Sequence, residues 1–455
     1  MENNILNEKA IQLIPVENDT FLFFHTESLQ IYPINDKRLI DFLDIYKRLG
    51  YEKSRSHYSK SKFDELYNFI TKTITTAPST NIHNDIDTQI NNFNAIVLPI
   101  AGKCNLACPY CFARTKNGFN FNNFTEADID KTIDFLVKKN PDESKPFNII
   151  FFGGEPLLNL SIIKYTVSLF KNKYPTRKIS FSITTNGTIV NDEIISLFKE
   201  NNFAVLLSLD GPNNEYNMRI FKNGRSSLSK VFKNIGILLK NNVPVEIRAT
   251  FISTNPYLVE TYNFFEKIGL PFHIIFAYES ENKSNNHLTN YDKEVLNRIE
   301  KDFDNLLKFY IKKAQRGDVL HNVTISTAIN KLRFRTVEKI ACGGGINYYT
   351  IMSNGDIFSC PHLMNDDAFK IGTIFTNDIA KESVIPADID KIFECSDCWA
   401  KYLCLGGCPT QKIATGKTNL TAMNEPNCEL ERIKWQFYIK LFYSLSKINS
   451  KYINF

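Results

Sequence analysis

Six short apolar segments recur between residues 95 and 278, and each has the length and composition of a buried strand. Between them lie segments whose apolar residues recur every three or four positions, the spacing that turns one helix face toward a core. Such alternation makes repeated βαβ units and predicts an α/β fold, with a parallel sheet closed or partly closed into a barrel. Active sites of these folds lie at the carboxyl ends of the strands. The predicted strands cover residues 95–100, 148–153, 179–185, 204–210, 245–252 and 272–278.

The first 90 residues have a different pattern, in which three strand-like runs within residues 9–35 precede two helical runs. We expect Gly50 to end the first helix. Residues 47–62 are basic, and we interpret them either as a solvated loop or as a docking surface for an acidic peptide. Residues 76–93 are polar and have the composition of a linker. The sequence therefore predicts a small N-terminal α+β module over residues 1–90.

Composition narrows the classes of protein that remain. The chain has 455 residues, and its 54 basic and 49 acidic side chains leave a formal charge of +5, too small to require a nucleic acid or an anionic membrane as partner. The hydrophobic fraction of 43% excludes global disorder. No run approaches the roughly 18 apolar residues of a membrane span, and the N-terminus lacks the pattern of a secretory signal. We therefore expect a cytoplasmic protein without nucleic-acid or membrane partners.

The ten cysteines are strongly clustered, with none before residue 104 and none between residues 112 and 341. Three fall on one predicted loop, at Cys104, Cys108 and Cys111. Short spacing in a chain without an export signal points to metal or iron–sulfur ligation rather than to disulfides. Three thiolates on one loop can hold three irons of a 4Fe–4S cube and leave the fourth iron open. An incomplete zinc site and three incidental thiols are the alternatives. The other seven are Cys342, Cys360, Cys395, Cys398, Cys404, Cys408 and Cys428.

The triad loop resembles the signature of the radical S-adenosylmethionine (SAM) superfamily, in which an aromatic residue, here Tyr110, precedes the third cysteine. The resemblance implies a partial (β/α)6 barrel, in agreement with the six strands. It also implies that the open iron binds SAM, and that an electron from the cluster cleaves SAM to a 5′-deoxyadenosyl radical that abstracts a substrate hydrogen. The cofactor would carry this chemistry while the protein positions and shields it.

Short motifs follow the predicted strands and extend the resemblance. Gly153-Gly154-Glu155-Pro156 is similar to the family motif that contacts the SAM amino group, and glycines allow close backbone approach. Thr185-Asn186-Gly187 fits a SAM contact or a plain turn. Ser208 begins a segment similar to one in which the family serine lies near SAM, and Arg219 is the candidate for a family arginine that reaches SAM. The usual His-Asp pair before that arginine is Tyr216-Asn217 here. Arg248 is expected in the barrel interior or in an ion pair.

The seven C-terminal cysteines resemble, in order and spacing, the SPASM extension of radical SAM enzymes. Two zinc sites are the alternative, which seven thiolates cannot fill. Asn354-Gly355 suits a type I′ hairpin turn that brings Cys342 near Cys360. The resemblance puts Cys342, Cys360 and Cys408 on a first auxiliary cluster, where Tyr348 stands at a position that is cysteine in some relatives. We expect an open or non-cysteine-ligated iron there. The resemblance puts on a second cluster Cys395, Cys398, Cys404 and Cys428.

These resemblances imply three 4Fe–4S clusters, a barrel over residues 91–320 and a SPASM domain over residues 321–455. They also imply a peptide or protein substrate and an electron donor such as flavodoxin or ferredoxin. We expect a maturase that installs a crosslink (thioether, carbon–carbon or ether) in a ribosomally made precursor peptide. The alternatives are formylglycine formation of the sulfatase-maturase kind and an iron–sulfur redox sensor.

Two further features bear on the substrate. In sulfatase maturases an Asp follows the second SPASM cysteine, whereas Pro361-His362 follows Cys360 here. The N-terminal module resembles, in element order, the leader-peptide recognition domains of peptide maturases. Candidate catalytic residues are Asp210, Tyr348 and His362.

Overall fold

The computed structural model describes residues 6–17, 19–75, 81–83, 94–114, 119–277, 288–376, 388–408, 410 and 425–448. At the N-terminus a three-stranded antiparallel sheet precedes two helices. Its elements are β1 (Ile11–Pro15), β2 (Phe21–His25), β3 (Gln30–Ile34), α1 (Lys37–His57) and α2 (Lys60–Thr75).

The two faces of this small sheet pack in different directions because successive side chains of a strand point to opposite faces. Phe23 of β2 packs with the module's own helices, next to Phe42 and Tyr46. Leu22 and Phe24 point the other way and join the core of the main body. The first 90 residues therefore share a core with the remainder of the chain.

Gly50 ends the first helical segment of α1, as expected from the sequence. Its φ of 73° and ψ of 178° are not helical, and a second helical segment follows across the kink and continues to His57. The basic run over residues 47–62 is accordingly helical over most of its length rather than a loop. After the glycine, Tyr51 and Tyr58 pack against the core of the module in partly buried positions.

Six parallel strands form the centre of the main body, each hydrogen-bonded to the next along the chain, as predicted. Helices follow the first five strands, which is the pattern of a partial α/β barrel. The elements are β4 (Asn81–His83), β5 (Ala95–Ala101), α3 (Glu126–Lys139), β6 (Phe147–Gly153), α4 (Leu160–Lys173), β7 (Ile179–Thr185), α5 (Asp192–Glu200), β8 (Ala204–Ser208), α6 (Leu228–Lys240), β9 (Val245–Phe251), α7 (Leu258–Ile268) and β10 (Phe272–Phe276).

Strands β6, β7, β9 and β10 alternate between a buried face and a half-buried, more polar face, whereas β5 is buried throughout. On β9, Ile247 and Ala249 are buried, while Glu246, Arg248 and Thr250 are only partly covered. This period of two places Arg248 on the open side of the sheet, away from the covering helices.

The C-terminal part extends the same sheet beyond β5. Its first long strand pairs in parallel with β5, and two antiparallel strands follow. Two long helices, α8 and α11, pack along each other, and Phe303 of α8 meets Phe437 of α11. The elements are α8 (Lys293–Gln315), α9 (Val323–Phe334), β11 (Thr336–Glu338), β12 (Tyr348–Ile351), β13 (Asp356–Phe358), β14 (Lys370–Thr373), α10 (Lys401–Cys404) and α11 (Glu425–Ile448).

The hairpin between β12 and β13 forms where the sequence predicts it, but with a different turn. The N–H of Gly355 donates to the carbonyl of Met352 at 2.9 Å, and Gly355 has a φ of 86° whereas Asn354 is not at positive φ. A type I′ turn needs positive φ at both central residues. The geometry is instead a turn closed by a left-handed glycine, which Asn-Gly also satisfies.

Candidate functional site

The triad loop leaves the carboxyl end of β5 and is held by backbone contacts. The N–H of Ala107 donates to the carbonyl of Ile220 at 2.7 Å, and the N–H of Leu106 donates to Cys104 Sγ at 3.3 Å. Burial raises the pKa of Cys104 to about 11 and that of Cys108 to about 12, and the charge of Cys111 adds to both. The three thiols thus share one enclosed space, where metal binding would have to displace their protons.

Gly153 and Gly154 are packed directly against this loop. Gly153 has a φ of 133°, and a Cβ on Gly154 would overlap the carbonyl of Lys103. The N–H of Gly154 donates to Ala101 at 2.7 Å, and the N–H of Glu155 donates to Lys103 at 2.9 Å. The close approach that these glycines permit is therefore to the backbone just before Cys104.

Glu155 is fully buried beneath the loop and accepts three hydrogen bonds, from the Thr185 hydroxyl at 2.7 Å, the Asn186 N–H at 2.7 Å and the Leu157 N–H at 3.1 Å. Burial raises the pKa of Glu155 to about 7, although these donors favour the ionised form. Through this carboxyl group the end of β6 holds the end of β7.

Asn186 links the end of β7 to the triad loop. Its Nδ2 donates to Asn105 Oδ1 at 2.8 Å and lies 3.7 Å from Cys104 Sγ, while its Oδ1 accepts from Thr188. The side chain therefore makes a local turn and also contacts the first cysteine, whereas its contact with SAM stays a prediction.

Asp210 is buried and fully engaged, which does not suit a general base. It accepts from Arg219 Nε at 3.0 Å, from the Thr250 N–H at 3.0 Å and from the Tyr110 hydroxyl. The Arg219 guanidinium also lies 5.6 Å from the centre of the Tyr110 ring. Asp210 thus joins the triad loop to the segment after β8, as a positioning residue.

Ser208 is buried at the end of β8, directly beside Arg248 in the strand ladder. Within the described residues, the Arg248 guanidinium makes no hydrogen bond or ion pair. Desolvation and the nearby positive charge of Arg219 lower the pKa of Arg248, and opposing contributions come from Tyr348, Cys360 and Cys408. Arg248 accordingly lies between the triad region and a second group of cysteines.

That second group consists of Cys342, Cys360 and Cys408, which interact electrostatically with one another. Burial raises the pKa of Cys360 to about 12, and the Tyr348 hydroxyl donates a hydrogen bond to its sulfur. The three cysteines and the tyrosine that the sequence analysis grouped are therefore together in space.

His362 connects the two regions. Its ring stacks on Phe112, which directly follows the triad, with centroids 3.7 Å apart and planes 16° from parallel. The His362 side chain is accessible to solvent. Desolvation by the surrounding protein nevertheless lowers its pKa to about 4, and the positive charge of Arg248 lowers it by a smaller amount. Asn365 also donates to the Phe112 carbonyl at 3.1 Å.

The remaining four cysteines form a third group beneath the long helix α11. Desolvation raises the pKa of Cys404, and the charges of Cys398 and Cys428 raise it further. Desolvation also raises the pKa of Cys428, to which the charges of Cys395 and Cys398 add. Arg432 hydrogen-bonds to the Cys398 sulfur. Basic side chains therefore line the group on its helix side.

The donor set suits iron–sulfur clusters. All ten cysteines lie in the described residues, and none forms a disulfide there. Their mutual electrostatic interactions divide them into three groups. Over the described ranges, no three Cys, His, Asp or Glu side chains converge tightly enough to hold a single metal ion. Each thiolate of a cube binds a different iron, so a wider spacing is compatible with such a cluster.

Sequence reasoning did not single out Asn105 and Phe112. Both lie within or next to the triad, and both carry contacts between the triad loop and other segments. Their positions inside an already recognised motif are the signal that could have identified them.

Comparisons with known proteins agree with this architecture. Residues 98–268 match the radical SAM superfamily, as expected, so this part of the chain is a radical SAM domain. Such a domain indicates an enzyme, and the superfamily implies SAM and a 4Fe–4S cluster. No helix in the described ranges has both the length and the apolar character to cross a bilayer.

Three relatives illustrate the range. The chain is 32% identical over 183 residues to the uncharacterized protein MJ0907 of Methanocaldococcus jannaschii, a match over 40% of this chain that spans 62% of that protein. It is 26% identical over 352 residues to the serine-type anaerobic sulfatase-maturating enzyme of Klebsiella pneumoniae, covering 72% of this chain and 84% of the relative. It is 27% identical over 283 residues to the radical SAM cyclopropyl synthase TigE of Paramaledivibacter caminithermalis, covering 52% and 55%.

Two solved structures share the fold. Native anSMEcpe with bound AdoMet superimposes with a TM-score of 0.66 at 21% identity, over 78% of this chain and 100% of that one. Streptococcus suis SuiB bound to precursor peptide SuiA gives 0.50 at 16% identity, over 89% and 95%.

Proposed function

We propose that this chain is a maturase that abstracts hydrogen from a ribosomally made precursor peptide and installs a thioether, carbon–carbon or ether crosslink. The observation that carries the proposal is that the ten cysteines fall into mutually interacting groups of three, three and four. The stacked Phe112 and His362 rings link the segments that carry the first two groups.

In this proposal the triad Cys104, Cys108 and Cys111 holds the SAM-binding cluster. Cys342, Cys360 and Cys408 hold a first auxiliary cluster, and the remaining four cysteines hold a second. Bound SAM and its cluster supply the radical that abstracts the substrate hydrogen. An external reductant such as flavodoxin or ferredoxin supplies electrons, which suits a reducing cytoplasm.

The chain's own residues shape the SAM site. Several residues lie in or against the triad loop and fix its position before SAM binds. They are Tyr110, Gly153, Gly154, Glu155, Asn186 and Arg219. Ser208 ends β8, and Arg248 pairs with it from the middle of β9. The Arg248 guanidinium, which has no ion-pair partner among the described residues, offers a site for a carboxylate of SAM or of the substrate.

The N-terminal module supports a peptide substrate. Both β1 and β3 are edge strands of their sheet, and an edge strand can accept a peptide as an additional strand. The structural match to anSMEcpe covers 78% of the chain and leaves about a fifth uncovered, a length similar to that of this module. The match to SuiB covers 89% of the chain.

Sulfatase maturation is the second candidate, because serine- and cysteine-type sulfatase-maturating enzymes match about 70% of the chain. The Pro361-His362 pair after Cys360 argues against it, as no acidic residue follows that cysteine. A redox sensor without SAM turnover is the third candidate.

The test is anaerobic reaction of the reconstituted enzyme with SAM, dithionite and two peptides. One is encoded by a short reading frame beside this gene, and the other is a sulfatase peptide with a target Ser. Crosslinking and serine oxidation each remove two hydrogen atoms, so fragmentation and an aldehyde-reactive hydrazide must distinguish them. A crosslinked neighbouring peptide supports the proposal. An aldehyde in the sulfatase peptide alone would favour the second candidate, and absence of 5′-deoxyadenosine would favour the sensor.

Cysteine variants complete the test. Cys108→Ala should abolish SAM cleavage and lower reconstituted iron from about 12 to about 8 per chain, since each cube contributes four. Ser396→Ala, an exposed substitution next to Cys395, should change neither. Iron near four per chain in the unaltered protein would contradict the auxiliary clusters.

A further inference from the structure

The first auxiliary cysteine group has three thiols, and no cysteine is left to complete it. The triad loop uses three of the ten, and the group beneath α11 uses four. A cube bound by Cys342, Cys360 and Cys408 would therefore carry one iron without a thiolate. The side chain that meets these thiols in the structure is Tyr348.

The backbone holds Tyr348 in this place from two sides. Tyr348 begins β12 and pairs with Ala95 at the start of β5, so its position is fixed by the central sheet. Before it, the carbonyl of Gly343 accepts from the N–H groups of Asn347 at 2.7 Å and Tyr348 at 3.2 Å. This tight loop turns the chain back after Cys342, whose charge interacts with that of Tyr348.

Gly344 lies at the centre of the group. A Cβ there would be 3.3 Å from the Tyr348 hydroxyl, 3.6 Å from Cys342 Sγ and 3.0 Å from the carbonyl of Ser359, which precedes Cys360. The phenol oxygen and the Cys342 sulfur thus face the same small space. The Tyr348 hydroxyl also donates to Cys360 Sγ, and its charge interacts with Cys408.

We propose that the Tyr348 phenolate is the fourth protein ligand of the iron–sulfur cluster held by Cys342, Cys360 and Cys408. The inference rests on the proposed auxiliary cluster but not on the identity of the substrate. Forming the iron–oxygen bond releases the phenolic proton to solvent and transfers no electron. Phenolate oxygen is an established protein ligand of iron.

Arg248 fits this assignment. Its guanidinium has no carboxylate partner in the described part of the chain, and it lies close enough to Tyr348, Cys360 and Cys408 to interact with their charges. A phenolate and three thiolates form an anionic ligand set, which a nearby half-buried cation stabilises.

The assignment decides what this cluster can do. An open iron is available to bind a substrate thiolate, whereas a cluster with four protein ligands has no free coordination position and is suited to passing electrons. Tyrosine ligation therefore assigns the first auxiliary cluster to electron transfer.

The decisive measurement is resonance Raman spectroscopy of the anaerobic holoenzyme, prepared with ordinary and with ring-deuterated tyrosine. Iron-bound phenolate should give enhanced ring modes that shift on deuteration. These modes should disappear in Tyr348→Phe and persist in Tyr349→Phe, the adjacent tyrosine on the opposite face of β12. Their absence from the unaltered protein, or their persistence in Tyr348→Phe, would overturn the assignment.

Thiol binding gives a second readout that does not depend on the tyrosine spectrum. Added 2-mercaptoethanol should alter the electron paramagnetic resonance signal of the reduced auxiliary cluster in Tyr348→Phe but not in the unaltered protein. Tyr348→Cys should keep about 12 irons per chain and resist the thiol, because four thiolates then close the cube. Thiol binding to the unaltered protein would show an open iron and overturn the inference.

Iron content distinguishes failure of the Tyr348 ligand assignment from failure of the proposed function. About 12 irons per chain without phenolate modes would remove the tyrosine ligand but leave the three clusters in place. About eight irons, with no cluster on Cys342, Cys360 and Cys408, would overturn both the ligand and the auxiliary assignment. Peptide crosslinking is scored independently of either result.

Discussion

The hydroxyl of Thr26 donates a hydrogen bond to the carbonyl of Trp399 at 2.7 Å, in a buried contact between the N-terminal module and the residue after Cys398. The Phe24 ring packs edge-on against Trp399, with centroids 5.9 Å apart. Lys401 pairs with Glu27 at 2.9 Å on the same side. The module that we propose to receive the peptide is thus attached to the loop that carries Cys395 and Cys398, two proposed ligands of the second auxiliary cluster.

Thr26→Val should destabilise this junction, because it leaves the buried Trp399 carbonyl without its donor. An unsatisfied buried acceptor costs about 1–3 kcal/mol. Urea denaturation of the anaerobic protein should register this loss, and iron retention in a chelator challenge should fall. Thr73→Val, which removes an exposed hydroxyl that bonds within α2, is the matched control and should retain iron as the unaltered protein does. Equal behaviour of the two variants would mean that the junction does not support the cluster loop.

Asp210→Asn should be strongly destabilising because it leaves the Arg219 guanidinium buried without its counterion. Breaking one partner of a buried pair costs about 3–5 kcal/mol, and the Asp210 and Arg219 side chains are 1% and 12% exposed. We expect a lower melting temperature and loss of about four irons, since Tyr110 also loses its partner. Asp134→Asn, which breaks an exposed pair with Lys173, should change little. A melting temperature unchanged by Asp210→Asn would contradict the positioning role.

Gly154→Ala tests whether the glycines support the triad loop rather than SAM alone. The added Cβ would overlap the Lys103 carbonyl and must displace the loop just before Cys104. We expect a loss of about four irons per chain even when SAM is absent. Gly236→Ala lies on the exposed side of α6 with nothing within 4 Å, and should instead stabilise the protein by about 0.5–1 kcal/mol. Full iron with weakened SAM binding in Gly154→Ala would favour a direct role toward SAM.

Local periodicity was sufficient to predict the barrel strands. Each strand is a short apolar run, which can be recognised in the sequence without knowing its partners in the fold. The triad and its strand-end motifs could also be predicted, since their residues are close in sequence. The roles of those residues could not be predicted from the sequence. Asp210 was a candidate base by type, and only the fold shows that Tyr110, Arg219 and Thr250 already occupy its oxygens.

Contacts between distant segments account for what the sequence could not predict. The core that Phe24 shares with the main body depends on Trp399, 375 positions further along the chain. The stack of Phe112 on His362 joins segments 250 residues apart. No local pattern encodes such pairs.

Glu155 should make the stability of the protein depend on pH near neutrality. Burial raises its pKa from 4.5 to about 7, so the folded state holds the proton more tightly than the unfolded chain does. Its contribution is fully present below the unfolded pKa and is lost as the pH rises through about 7. Relative to Glu155→Gln, the unaltered apoprotein should lose on the order of 2 kcal/mol of unfolding free energy between pH 5 and pH 8. Urea titrations at each pH measure this difference, with the exposed Glu300→Gln expected to follow the unaltered protein. Stability that instead rises over this range would show that the three hydrogen-bond donors outweigh burial and hold Glu155 ionised.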